Sequence, residues 1–144
     1  MTAPAAEIFT PDWATAFCRA LNANARYARV ARTWEGALLL VMEADAARGI
    51  PHTRAVYLDL HHGQCRAAQA GPPTALPAAA YVLSATPGVW KQILNGELPP
   101  IAAILRGRLH LKQGNLMALV PHVRAAQELV ATAARLPTHF PPGW

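Results

Sequence analysis

Serine occurs once in this chain, at Ser84, and cysteine only twice, at Cys18 and Cys65. The lone serine has no Gly-x-Ser-x-Gly context, so a hydrolase nucleophile on a strand-to-helix elbow lacks sequence support. Glycine-rich phosphate loops are missing as well: there is neither a P-loop nor a Gly-x-Gly-x-x-Gly run. No Cys-x-x-Cys or His-x-x-x-His pair offers metal-ligand spacing, and two cysteines are too few for a disulfide framework. Charged residues make up only 15% of the 144, below the usual quarter or so. Apolar residues reach 53%, which excludes intrinsic disorder. No apolar run approaches the roughly 20 residues of a membrane span; Ala37 to Met42 is strand-length. Met1 to Thr10 lacks a basic segment followed by an apolar one, so no signal peptide is expected, and the default compartment is the cytoplasm with reduced thiols. The length fits a single domain over 1–144. The balance is basic, with 13 Lys and Arg against 8 Asp and Glu. The basic residues are dispersed rather than clustered with exposed aromatics, so nucleic acid is not an expected partner.

The periodicity predicts a mixed α+β layer. Trp13, Phe17, Ala20, Leu21, Asn24, Ala28 and Ala31 fall on one side of a first helix that runs to about Arg32, with Arg19, Arg26, Arg29 and Arg32 on the other. Leu38, Leu40 and Met42 form the buried face of a first strand. Val56, Leu58 and Leu60 alternate with Tyr57, Asp59 and His61 in a second. His62-Gly63-Gln64 turns tightly into a third, Cys65 to Gln69, making a hairpin. Tyr81 to Ala85 reads as a fourth strand, and Leu109 with Leu111 as a fifth. Thr86-Pro87 opens a helix carrying Val89, Trp90, Ile93 and Leu94. Pro99-Pro100 opens a second, with Ile101, Ile104 and Leu105. A helical stripe from Leu116 to Ala133 is expected to break or kink at Pro121. Residues 136–144 are expected to be a Pro-rich tail. Because the first three strands are joined too tightly for crossovers, the five-stranded sheet should be mostly antiparallel, with helices covering one face.

The residues that could carry chemistry have plain structural readings. His61, His62 and Cys65 come nearest to a metal site, but adjacent strand residues point to opposite faces, so the two imidazoles should not share an ion. Glu35, Glu43 and Asp45 read as a solvated strand end. Cys18 falls on the polar side of the first helix, and Cys65 reads as a small hairpin residue. The arginine face of that helix is a solvated face or a transient contact with an anionic membrane surface.

Several blocks, taken in order, resemble a known family. They are Val56 to Ala68, Ala80 to Ala85, Trp90 to Gly96, and above all Pro100 to Leu116, in which a helix, a glycine, a short strand and a second glycine precede the C-terminal helix. Together they are similar to bacterial members of the sterol carrier protein 2 family. That resemblance implies an apolar tunnel between sheet and helices. The tunnel would bind a fatty acyl chain, acyl-CoA, phospholipid or sterol, with no catalytic residues, cofactor or metal. It would be lined by Trp90, Ile93 and Leu94, by Ile101, Ile104 and Leu105, and by Leu109 and Leu111 beneath. Leu38, Leu40 and Met42 would lie on the sheet side, and Leu116, Met117 and Leu119 near the opening. The alanine content and the tail depart from the family's pattern and could narrow or plug the tunnel.

The expected function is therefore non-enzymatic binding or transfer of an apolar ligand, with Arg106, Arg108 or Lys112 meeting a headgroup. An accessory module that holds a partner protein or a lipophilic intermediate is the alternative. A lipid-ester hydrolase is a weaker one.

Overall fold

The computed structural model describes residues 4–142 and 144. In chain order the elements are β1 (Ala6–Glu7), α1 (Pro11–Asn22), α2 (Ala25–Val30), β2 (Glu35–Met42), β3 (Arg54–His61), β4 (Gln64–Gly71) and β5 (Tyr81–Ala85). There follow α3 (Pro87–Leu94), α4 (Pro100–Leu105), β6 (His110–Gln113), α5 (Leu116–Leu119), α6 (Val123–Ala134) and β7 (Thr138–His139). Five strands form the main sheet in the order β4-β3-β2-β5-β6. All neighbours in it are antiparallel except β2 and β5, which the long connection through the hairpin leaves parallel. This is the expected α+β layer.

The alternation read from β3 is the packing seen. Val56, Leu58 and Leu60 are buried under the helices, whereas Tyr57, Asp59 and His61 are half-buried. Leu38, Leu40 and Met42 of β2 join the same core with Trp13, Phe17, Trp90 and Ile93. The opposite face is less open than expected: Leu39 and Ala55 are buried with Ala79, beneath the loop that leads into β5. Thr86 caps α3 by accepting from the Val89 amide, and Pro121 lies in a short 3-10 turn that separates α5 from α6.

Three expectations need correction. First, the first helix is two helices. Asn24 stops α1 because its side-chain oxygen accepts from the amides of Arg26 and Tyr27 and so starts α2. Its amide nitrogen donates to Glu128 and Thr132 of α6, both at 2.9 Å. After this break Tyr27, not Ala28, faces the core. Second, the thiols expected to be reduced are not. Cys18 and Cys65 are joined as a disulfide between α1 and β4. Beside it, the Asn22 side chain both donates to and accepts from the Cys65 backbone at 2.8 Å. Third, the segment after Leu136 is docked. β7 pairs in parallel with β1, and Thr138 accepts from the Trp13 indole at 2.9 Å. Phe140 and Trp144 pack against the main core, so residues 136–142 and Trp144 are docked rather than a loose tail.

Candidate functional site: an apolar cavity

Between the sheet and the helices lies a cavity of about 110 Å³. Leu38 and Leu40 of β2, Leu60 of β3 and Leu83 of β5 form its floor. Trp13 and Phe17 of α1, Tyr27 of α2 and Trp34 close one end, with Phe9 between the rings of Trp13 and Trp90. The helices α3, α4 and α6 form the roof. Small side chains make the room: Ala125, Ala126 and Ala133 of α6 all border it. No described residue beyond Ala133 lines the cavity, so the docked C-terminal segment does not plug it.

The lining tryptophans present only apolar surface. Trp13 donates its indole N–H to Thr138, Trp34 to the Gly36 carbonyl and Trp90 to the Val41 carbonyl, each at 2.9 Å. With those donors satisfied outside the cavity, nothing on the rings asks a ligand for a hydrogen bond. Two other side chains carry polar atoms to the wall, Tyr27 and His122. Burial pushes the Tyr27 phenol up to about 12, so it stays neutral at any physiological pH. His122 stands edge-on to the Trp34 ring.

The opening is legible from exposure. Lining residues of β2 and α1 are buried, whereas Leu94, Ile101, Ile104, Leu119 and His122 are only half-buried. Leu83 of β5 and Ala126, Leu129 and Val130 of α6 are half-buried lining residues as well, so the less buried part of the wall runs along α3, α4, α5 and α6. Of the residues expected at the site, Leu38, Leu40, Trp90, Ile93, Leu94, Ile101, Ile104, Leu109 and Leu119 line this space. Met42 is fully buried but lies off the wall, and Leu111 and Leu116 are half-buried off it. Leu105 and Met117 are 70% and 72% exposed and face away from it. Phe9, Trp13, Phe17, Tyr27, Trp34 and the α6 residues were not among the expected lining. The pairing of apolar residues in α1 marked it as core, and only the tertiary arrangement turns that core outward onto a void.

The histidine pair also needs correction. His62 adopts a left-handed conformation, with φ 49°, which cancels the strand alternation. The His61 and His62 rings stack with centroids 4.0 Å apart, and His62 Nε2 meets Glu35 Oε1 at 2.6 Å. With His61 these form a group whose donor atoms lie within 4.8 Å of one another, the one such metal-capable cluster among the described residues. Glu35 at the start of β2 lies beside the hairpin turn that holds His61 and His62, and none of the three lines the cavity. On the far side of α3 a polar hollow holds Arg48, Lys91 and Arg108. Each of these cations already has a partner, in Asp45, the Trp144 carbonyl and Gln92 respectively.

Residues 18–124 match the pattern of the SCP-2 sterol transfer family. The chain belongs to that family. A crystal structure of sterol carrier protein 2 is 44% identical and superposes with a TM-score of 0.84, covering 90% of this chain and 99% of its own. A solution structure of a conserved protein from Thermus thermophilus, described as a sterol carrier candidate, is 41% identical with a TM-score of 0.84 and covers 96% and 95%. Apo sterol carrier protein 2 from Yarrowia lipolytica is 18% identical with a TM-score of 0.56, covering 84% and 88%, and so shares the fold. No curated protein matches. The SCP-2 match covers the five-stranded sheet, the roofing helices α3 and α4 but only the start of α6, and Leu119. No helix among the described residues is long and apolar enough to cross a membrane.

Proposed function

We propose that this SCP-2 family chain binds the apolar part of a lipid in the cavity and carries it without chemical change. A fatty acyl chain, acyl-CoA, phospholipid or sterol-like molecule would be held. The observation that carries this reading is the aromatic-walled cavity whose indole donors are all satisfied elsewhere. Such a wall rewards buried hydrocarbon, at about 0.8 kcal/mol per methylene, and offers a polar solute almost nothing. At about 110 Å³ the resting space is smaller than the roughly 150 Å³ that accepts one benzene. A long chain would therefore enter by displacing the short helices α4 and α5. Arg106 and Lys112, exposed beside the opening, would meet a phosphate or carboxylate headgroup. Ser84 is buried in β5 opposite His110 and lies off the cavity wall, which speaks against an ester hydrolase.

Native mass spectrometry of the purified chain, followed by extraction, tests the reading. A bound lipid-sized mass that leaves on denaturation is expected, as is a change in tryptophan emission when a soluble fatty acid is added. A bare protein mass together with flat emission would overturn it.

A further inference from the structure

The turn between β3 and β4 gathers three side chains of metal-ligand type. In the β2–β3 register Glu35 stands directly opposite His61, and residues paired across antiparallel strands project from the same face. His62 would point to the other face if the strand simply continued. Its left-handed backbone, uncommon outside glycine, brings its ring onto that of His61 instead. The two ring planes are inclined by only 17°. The turn is fixed by its surroundings: the His62 amide donates to the Trp34 carbonyl at 2.8 Å, and Gly63 sits against the backbone of Ala28. One ligand atom from each of Glu35, His61 and His62 then lies within 4.8 Å of the other two.

Two imidazoles and a carboxylate suit a first-row divalent cation such as zinc. They do not suit magnesium or calcium, which take oxygen ligands. A simple ion pair accounts for Glu35 and His62, whose Oε1 and Nε2 are in contact. It gives no reason for a second imidazole to be stacked beside the first. Zinc bonds of about 2.0–2.2 Å set neighbouring ligand atoms roughly 3.3 Å apart in a tetrahedron. The His62 and Glu35 side chains are 50% and 64% exposed, so they can turn to that spacing without disturbing the core. We propose that Glu35, His61 and His62 bind one zinc ion, with water in the fourth position, and that the ion ties the start of β2 to the hairpin turn. None of the three lines the cavity, so this site stands apart from the lipid-binding reading, and failure of either leaves the other intact.

Titration calorimetry of the untagged, metal-free chain with zinc chloride tests the site, and one ion per chain is expected. His62→Asn removes the ring but keeps a residue that accepts the left-handed conformation. Glu35→Gln keeps the shape of the side chain and removes its charge. Each should weaken zinc binding at least tenfold, with an unchanged far-ultraviolet circular dichroism spectrum. The double substitution His52→Ala, His139→Ala alters two exposed histidines outside the cluster and should leave the affinity within twofold of the parent. In the parent, the imidazole resonances of His61 and His62 should move with zinc and stay in place with magnesium. The proposal is overturned if the parent takes up no zinc, if folded cluster variants keep its affinity, or if the His52 and His139 substitutions abolish it. Should a cluster variant fail to fold, the parent's resonances decide: His61 and His62 signals that ignore zinc overturn the site.

Discussion

A methyl group has no room at position 63. Gly63 occupies the hairpin turn with φ 79°, and a Cβ there would overlap the Ala28 carbonyl and come within 2.7 Å of its Cα. The hairpin tip thus fits against α2 only through glycine. Gly63→Ala should lower unfolding stability by roughly 1–3 kcal/mol, measured by chemical denaturation; an unchanged midpoint would mean that the tip and α2 separate easily. Ile104 poses the opposite case. It lines the cavity half-buried, so Ile104→Glu should set an unpaired charge against bound hydrocarbon. Fatty-acid affinity should fall tenfold or more, which takes about 1.4 kcal/mol, with a smaller effect on folding. Outright unfolding would identify ordinary core, and unchanged affinity would place the ligand elsewhere. His62 shows where reading residues by strand period fails: a single left-handed residue returned its ring to the side of His61.

Among the elements, the junction of α2 with α6 is held by one carboxylate. Asn24 hydrogen-bonds Glu128, Arg26 pairs with it at 3.3 Å and Arg135 at 3.5 Å. The Asn24 bond chiefly, aided by the two arginines, holds the Glu128 carboxyl below its ordinary 4.5. A depressed native value means that the charge contributes stability above the unfolded value and loses it as pH falls through the native one. Glu128→Gln should therefore weaken the fold at neutral pH and progressively less below about pH 4. Equal deficits in neutral and acid denaturation curves would show that the charge is immaterial. The disulfide ties α1 to β4 across 47 residues, and closing a loop of that length stabilises by up to roughly 4 kcal/mol. Cys18→Ala with Cys65→Ala should lower the denaturation midpoint accordingly while the folded fraction keeps its fatty-acid affinity; a midpoint equal to that of the oxidised parent would contradict this. Strands and the helices α3 and α4 were readable because their periods and caps are local. The split between α1 and α2 was not, since Asn24 also fits a helical stripe; its oxygen caps α2 locally while its amide nitrogen bonds Glu128 and Thr132, more than a hundred residues on.

At the scale of the molecule, the sheet and its mostly antiparallel pairing were legible in the sequence pattern, whereas the nine named residues that border the cavity came from the family resemblance and not from periodicity. Strand alternation and proline-led helix starts declare themselves without tertiary help. What stayed hidden was everything decided by distant segments: the disulfide, the docking of residues 137–142, and the role of Trp13 and Phe17 as wall rather than plain core. That distance has a kinetic side. The β3–β4 hairpin closes over neighbouring residues, but Trp13 reaches its Thr138 partner across 125 positions. β1 likewise stays unpaired until β7 arrives. Contacts of such long range form slowly, and in a chain made N-terminus first the α1 wall must wait for nearly everything after it. A nascent chain should thus pass through a stage in which the sheet and hairpin are formed while Trp13 and Phe17 stand open to the surrounding water, vulnerable to aggregation and to capture by a chaperone.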